Sequence, residues 1–281
     1  MATVAKLQLQ KGQRVAKWLV DEKLGSGSFG DVYQVQNSSG ATFAMKTEKV
    51  DEAASILKIE VHVMSNLYRL NSKHFCKIED SGTFSNFRYI VMTLVGPSLQ
   101  DLRRRFPEDK QKFSMGCALS IGIKCIEAIE ELHSLVGILH RDIKPGNFAI
   151  GASDKRQIYL IDFGMARCFL GPDGRVLPPR LSAGFRGTLR YASISCHIAR
   201  ELCRKDDLES WLYMQIELTR GRINELFGGC PQEYVDAIRY LDTLRYYDKP
   251  DYEKVVGMMK KAISSNNLKE FPYDWEVPKS S

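Results

Sequence analysis

No uninterrupted apolar run in the 281 residues is long enough to cross a bilayer, which excludes a membrane-spanning helix. The first twenty residues scatter Lys6, Lys11, Arg14 and Lys17 where a secretory signal needs an unbroken apolar stretch. Paired cysteines are also lacking. The seven (Cys76, Cys117, Cys125, Cys168, Cys196, Cys203 and Cys230) are odd in number, widely spread and free of any CxxC spacing. Neither a disulfide framework nor a zinc site is indicated, and a reducing compartment, cytoplasm or nucleus, is expected. His62, His74, His133 and His197 have no metal-ligand spacing. An excess of one charge is small: 40 Lys and Arg against 34 Asp and Glu leave +6, too mild to announce a nucleic-acid binder. Internal repeats are absent. What is present, 44% hydrophobic and 26% charged side chains, is ordinary globular composition and excludes a disordered or collagen-like chain.

Strand signals come first and helical ones later. Trp18-Leu19-Val20, Val32-Tyr33-Gln34-Val35 and Thr42-Phe43-Ala44-Met45 are short β-forming runs separated by turns at Gly25 to Gly30 and at Asn37 to Gly40. Ala53 to Leu70 changes to helical spacing, with Ile56, Ile59, Val63 and Leu67 expected on one buried stripe. Two further strands are expected near Phe75 to Ile78 and Tyr89 to Met92. Beyond Gly96-Pro97 the pattern is helical, most clearly over Cys117 to Leu135, where Leu119, Ile123, Ile126, Ile129 and Leu132 recur on one face. An irregular stretch rich in Gly and Pro covers Gly164 to Ser195, and helices return from Asp206. Strands followed by helices imply an α+β fold with a small β-rich part and a larger α-rich part, changing over near Met92 to Gly96.

Gly25-Ser26-Gly27-Ser28-Phe29-Gly30, with Val32, matches GxGxxGxV. Alone it is compatible with a phosphate cradle or with an ordinary turn. A dinucleotide fold needs a helix immediately after the glycines, whereas Asp31 to Val35 reads as a strand, so a hairpin lying over a nucleotide fits better. There, absent side chains let backbone N–H groups approach phosphate oxygens. Lys46 ends the third strand run and Glu60 follows fourteen residues later within the helix. Solvated surface charges and an ion-paired phosphate clamp both fit that spacing. The sequence His140-Arg141-Asp142-Ile143-Lys144-Pro145-Gly146-Asn147, then a strand and Asp162-Phe163-Gly164, decides between them. Phosphoryl transfer needs one carboxylate to orient the attacking hydroxyl, and an Asp with an Asn to hold Mg²⁺ against the phosphates.

These four motifs in this order resemble the eukaryotic protein kinases over nearly the whole chain. The resemblance implies a single bilobal domain over residues 1–281, with an N-lobe of about 14–94, a C-lobe of about 95–275 and short tails. It implies ATP and Mg²⁺ as cofactors. Lys46 would bind the α- and β-phosphates, Glu60 would pair with it, Asp142 would be the catalytic base, and Asn147 and Asp162 would be metal ligands. Lys144 resembles the Ser/Thr-specific pattern and would steady the γ-phosphate. Ala44 would bind nucleotide, Met92 would stand at the back of the adenine pocket with Thr93 and Leu94 in the hinge, and Met64, His140 and Phe163 would belong to a spine anchored by Asp207. Ser193-Ile194-Ser195 stands where most kinases have Ala-Pro-Glu, which is similar to the casein kinase 1 group, as are Leu94 to Leu99 and Lys205 to Ser210. Asp101 to Arg104, Asn147 to Gly151 and Pro178 to Thr188 look closest to its tau-tubulin kinase branch.

Arg167 to Lys205 holds eight basic residues against Asp173 and Glu201, an excess of six that equals the net charge of the chain. Arginine forks suit phosphate and carboxylate groups, so protein substrates with acidic or phosphorylated residues near the Ser or Thr are expected. Arg186 and Arg190 are the candidate anion contacts. Arg103-Arg104-Arg105 reads as a solvated helix end rather than a nucleic-acid patch. Thr188 resembles the threonine that contacts the catalytic loop, so control by activation-loop phosphorylation is not expected. A monomer, with neither a nucleic-acid nor a membrane partner, is expected. The stretch from Gly221 to Pro231 is shorter than in relatives of this group, which keeps open a pseudokinase-like scaffold that binds nucleotide or partners with little transfer. The full set of Lys46, Glu60, Asp142, Lys144, Asn147 and Asp162 favours the enzyme.

Overall fold

The computed structural model describes residues 8–27, 30–50, 56–107, 111–221 and 228–277. Its chain divides into two units, residues 1–95 with 162–164 and residues 96–161 with 165–281. The first is built on a six-stranded antiparallel sheet. Its strands are β1 (Arg14–Val15), β2 (Trp18–Gly27), β3 (Gly30–Gln36), β4 (Thr42–Lys49), β5 (Ile78–Phe84) and β6 (Phe87–Thr93), in the order β1-β2-β3-β4-β6-β5. Alternation places Tyr33 and Val35, then Tyr89 and Val91, on one buried face with Trp18, Val20, Met45 and Phe87. The first of the two later strands begins only at Ile78, not at Phe75. Phe75 and Cys76 are buried by side-chain packing, with the Phe75 ring 5.8 Å from that of Phe163, and not by ladder pairing.

Helix α1 (Ile56–Arg69) packs on this sheet, but its stripe differs from the expected one. Leu57, Glu60, Val63, Met64 and Leu67 are buried, whereas Ile59 is 40% exposed. Ile59 lies two residues beyond Leu57, about 200° around the helix, and so faces away. The true stripe has the right spacing only if a carboxylate is counted among its inward members.

The second unit is mainly helical: α2 (Leu99–Arg103), α3 (Met115–Val136), α4 (Ile194–His197), α5 (Arg204–Arg220), α6 (Gln232–Thr243) and α7 (Tyr252–Ser265). Strands β9 (Phe148–Gly151) and β10 (Ile158–Leu160) form a small sheet with β7 (Val95–Ser98), and β8 (Ile138–Leu139) pairs with β11 (Arg167–Cys168). The long apolar helix α3 is buried along most of its length, and Gly137 ends it in the left-handed conformation at φ 65°. Close approach of α3 to α5 requires Gly122, where a Cβ would stand 2.6 Å from Gln215 Oε1. In return Trp211 Nε1–H donates to Gly122 O at 3.1 Å, and Gln215 Nε2 donates to Ala118 O at 2.7 Å.

Trp211 is wholly buried at this contact. Trp211→Ala is expected to cost about 3–5 kcal/mol, read as a fall in the denaturation midpoint at constant slope.

Candidate active site

In the first unit, Lys46 sits in the middle of β4, paired in register with Val32 of β3 and Ile90 of β6, and Glu60 sits on the buried face of α1. Lys46 Nζ lies 2.5 Å from Glu60 Oε1 and 3.0 Å from Asp162 Oδ1. The backbone N–H of Phe163 donates to the same Glu60 oxygen at 3.1 Å, so one buried carboxylate fixes both the lysine and the Asp162-Phe163-Gly164 turn. Burial pushes the Glu60 carboxyl up to about 7, opposed by Lys46 and reinforced by Asp162. Burial pulls the Lys46 ammonium down, but the two carboxylates outweigh it and hold its value above the ordinary one. Asp162 itself has φ 66°, a strained position for a residue with a side chain.

The glycine turn joins β2 to β3, with Gly25 opposite Val32, Ser26 opposite Asp31, and Gly27 opposite Gly30. Ser28 and Phe29, expected to contact nucleotide, lie outside the described residues. Gly30 is dictated by close approach, since a Cβ there would meet the Thr47 carbonyl oxygen at 1.7 Å. Ala44 and Met92 face each other across the β4–β6 pair, and Leu94 follows β6 directly.

In the second unit Asp142 is the centre of a hydrogen-bonded group. Lys144 Nζ donates to Asp142 Oδ2 at 2.6 Å, Thr188 Oγ1–H donates to Oδ1 at 2.8 Å, and Lys144 also donates to Thr188 at 3.0 Å. Asn147 Nδ2 donates to Asp142 O at 2.8 Å, which leaves its amide oxygen without a hydrogen bond among the described residues. The Asp162 carboxylate and this amide oxygen are each a hard oxygen donor of the kind a divalent cation prefers. Among the described residues no three His, Cys, Asp or Glu side chains cluster as a metal cage. A cation of that kind is ordinarily shared between one or two protein oxygens and a ligand's phosphates.

Asp207, near the N-terminus of α5, holds the loop in place. It accepts the N–H groups of His140 and Arg141, each at 2.8 Å, and His133 Nε2–H at 2.8 Å. Burial works against its ionised form, but these donors prevail and keep its carboxyl below the usual range. Arg141 is thereby held at φ 66°, and burial, with Arg167 nearby, pulls its guanidinium down to about 10. The His133 contribution had no signal in sequence, because its partner lies 74 residues away.

Part of the basic stretch is taken up in ion pairs. Arg167 and Arg180 both pair with Glu201, and Arg190 Nη1 lies 2.8 Å from Glu217 Oε1. Arg186 is exposed and makes no ion pair among the described residues. Arg103 corrects the solvated-helix-end reading: it is 4% exposed, and its Nη1 is also 2.8 Å from Glu217 Oε1. Arg104 and Arg105 are exposed, as expected. Residues 222–227 of the shortened stretch lie outside the described residues.

Because Asp207 has a folded pKa below its unfolded value of 3.8, its contribution is complete above about pH 4 and is lost as the pH falls through the lower folded value. Asp207→Asn is expected to cost about 2–4 kcal/mol at pH 7. It should also flatten the acid-side fall of Tm, as thermal melts from pH 7 down to pH 2 would read.

A protein kinase domain model matches residues 18–194, which include Lys46, Glu60, Asp142, Lys144, Asn147 and Asp162. The chain is 37% identical to a probable serine/threonine-protein kinase of Dictyostelium discoideum, over 94% of this chain and 57% of that protein, little more than half its length. It is 34% identical to the serine/threonine-protein kinase spe-6 of Caenorhabditis elegans, over 92% of this chain and 76% of the relative. A putative serine/threonine-protein kinase of the same worm is 37% identical over 84% of this chain and 70% of its own length. With the matched model covering well over half of its residues, the chain belongs to the protein kinase domain family, whose members use ATP and a divalent metal ion on protein substrates.

Proposed function

We propose that the chain is a serine/threonine protein kinase that transfers the γ-phosphate of Mg-ATP to Ser or Thr hydroxyls in proteins. The observation that carries this reading is Asp142, an acceptor held in one orientation by Lys144, Thr188 and the Asn147 loop. A carboxylate so placed accepts the proton of an incoming hydroxyl, while Lys144 beside it offers an ammonium to developing negative charge. Mg-ATP, when bound, supplies the transferable phosphoryl group and the cation that neutralises it. Lys46, paired with Glu60, is the cation for the α- and β-phosphates, and Asp162 and Asn147 are the metal ligands. The hairpin glycines Gly25, Gly27 and Gly30 offer backbone N–H groups to phosphate oxygens.

The finer assignment is to the casein kinase 1 group and, within it, the tau-tubulin kinase branch. It is supported by Ser193-Ile194-Ser195 in place of Ala-Pro-Glu and by the stretches at Leu94 to Leu99 and Pro178 to Thr188. A preference for acidic or phosphorylated surroundings is supported most directly by Arg186, which is exposed and close in sequence to Thr188. Arg190 has part of its guanidinium exposed but gives one nitrogen to Glu217. We place the enzyme inside the cell from its free cysteines.

The test is Mg²⁺-dependent transfer of labelled γ-phosphate to an acidic protein such as casein, wild type beside Lys46→Met and Asp162→Asn. Losses on the order of 100-fold or more in both variants, with Tm retained, are the expected result. A well-folded wild type that binds ATP without transferring it would support the scaffold instead. Peptides with and without acidic or phosphorylated neighbours would then read the substrate preference.

A further inference from the structure

The turn that follows Thr188 buries little apolar surface. Leu189 is 68% exposed and Ile194 59%, and only Tyr191 among its larger apolar residues is inside. A segment so poorly covered tends to open locally unless polar contacts hold it. Here the contacts converge on one group. Glu217, near the C-terminal end of α5 and almost wholly buried, takes Arg190 Nη1 at 2.8 Å on Oε1 and the Tyr191 hydroxyl at 2.5 Å on Oε2. Arg103 of α2, itself buried, brings Nη1 to 2.8 Å of the same Oε1. Both hydrogen bonds to Glu217 therefore come from the 3₁₀ turn Leu189–Tyr191, and Arg103 adds a buried positive charge without a hydrogen bond.

That turn begins at Thr188, whose hydroxyl bonds Asp142 and receives Lys144. On its other side Gly187, at φ 95°, lies so close to the loop that a Cβ would stand 2.5 Å from Arg141 O. A shift of the turn is thus passed to Asp142 with no slack between them. We propose that Glu217 is a positioning residue for phosphotransfer, a buried carboxylate latch that holds Thr188 against Asp142 and Lys144 through Arg190 and Tyr191. The proposal rests on the kinase reading for its consequence in rate, but not for the latch itself. It also gives Arg103 and Arg190 a shared task that their sequence positions, 87 residues apart, do not suggest.

The test compares wild type with Glu217→Gln and with the double variant Arg190→Met/Tyr191→Phe, which removes the turn's two donors and leaves the Arg103–Glu217 pair intact. Three quantities are measured: kcat, KM for ATP, and the rate of tryptic cleavage after the exposed Arg186. Displacing the turn should lower kcat by about 10- to 100-fold and leave KM for ATP within about two-fold. Cleavage after Arg186 should quicken by about ten-fold or more. A loss of general stability alone would raise cleavage everywhere and would not separate kcat from KM for ATP; that result, or unchanged kcat and cleavage in folded variants, overturns the proposal. Should Glu217→Gln fail to fold because Arg103 is left buried without its counter-charge, the double variant decides by the same readouts. If wild type transfers no phosphate, the kinase reading fails by itself. Cleavage after Arg186 then decides the latch, selective acceleration supporting it and equal rates overturning it.

Discussion

Asp207, fully buried near the start of α5, accepts two successive backbone N–H groups from His140 and Arg141, and the loop bearing Asp142, Lys144 and Asn147 is hung from that carboxylate. A buried anion is costly unless its lone pairs are filled, and here three donors at 2.8 Å fill them. The reward is geometric: Arg141 is kept in a left-handed conformation that only an over-determined loop sustains. Everything the second unit offers to chemistry depends on that one anchor.

The same device recurs. Glu60 holds Lys46 and the N–H of Phe163, Glu217 holds the turn after Thr188, and Glu201 gathers Arg167 and Arg180. Each is a carboxylate carried on or beside a helix and turned toward a loop. Loops cannot order themselves by burying apolar stripes, so charge-assisted hydrogen bonds from rigid elements fix them instead. A cluster that reads as a cationic surface is, once folded, partly neutralised: Arg167, Arg180 and Arg190 meet glutamates while their side chains stay 35%, 45% and 54% exposed. Arg186 is the exposed arginine of the two that were expected to meet a substrate anion without a carboxylate partner among the described residues.

Much of this was legible in the sequence. The α+β order, the hairpin at the glycines, helix α3 and the motif residues of both units follow from local patterns, because strand alternation, helical spacing and loop chemistry are all written within a few neighbours. Two local readings went astray for the same reason. Ile59 was expected to face inward beside Glu60, yet only Glu60 does, because its partners, Lys46 and Phe163, lie on other elements. Arg103 looked solvated, yet it is buried against a carboxylate 114 residues further on.

The sequence by itself determined the protein kinase family, the order of elements and the candidates for the reactive groups, since each rests on residue types at short, fixed spacings. Only the tertiary structure decided which charges are available and which are consumed. Whether an arginine meets water or a glutamate depends on contacts between residues tens of positions apart. Those partners are chosen by packing of helices and turns, and no local pattern encodes them.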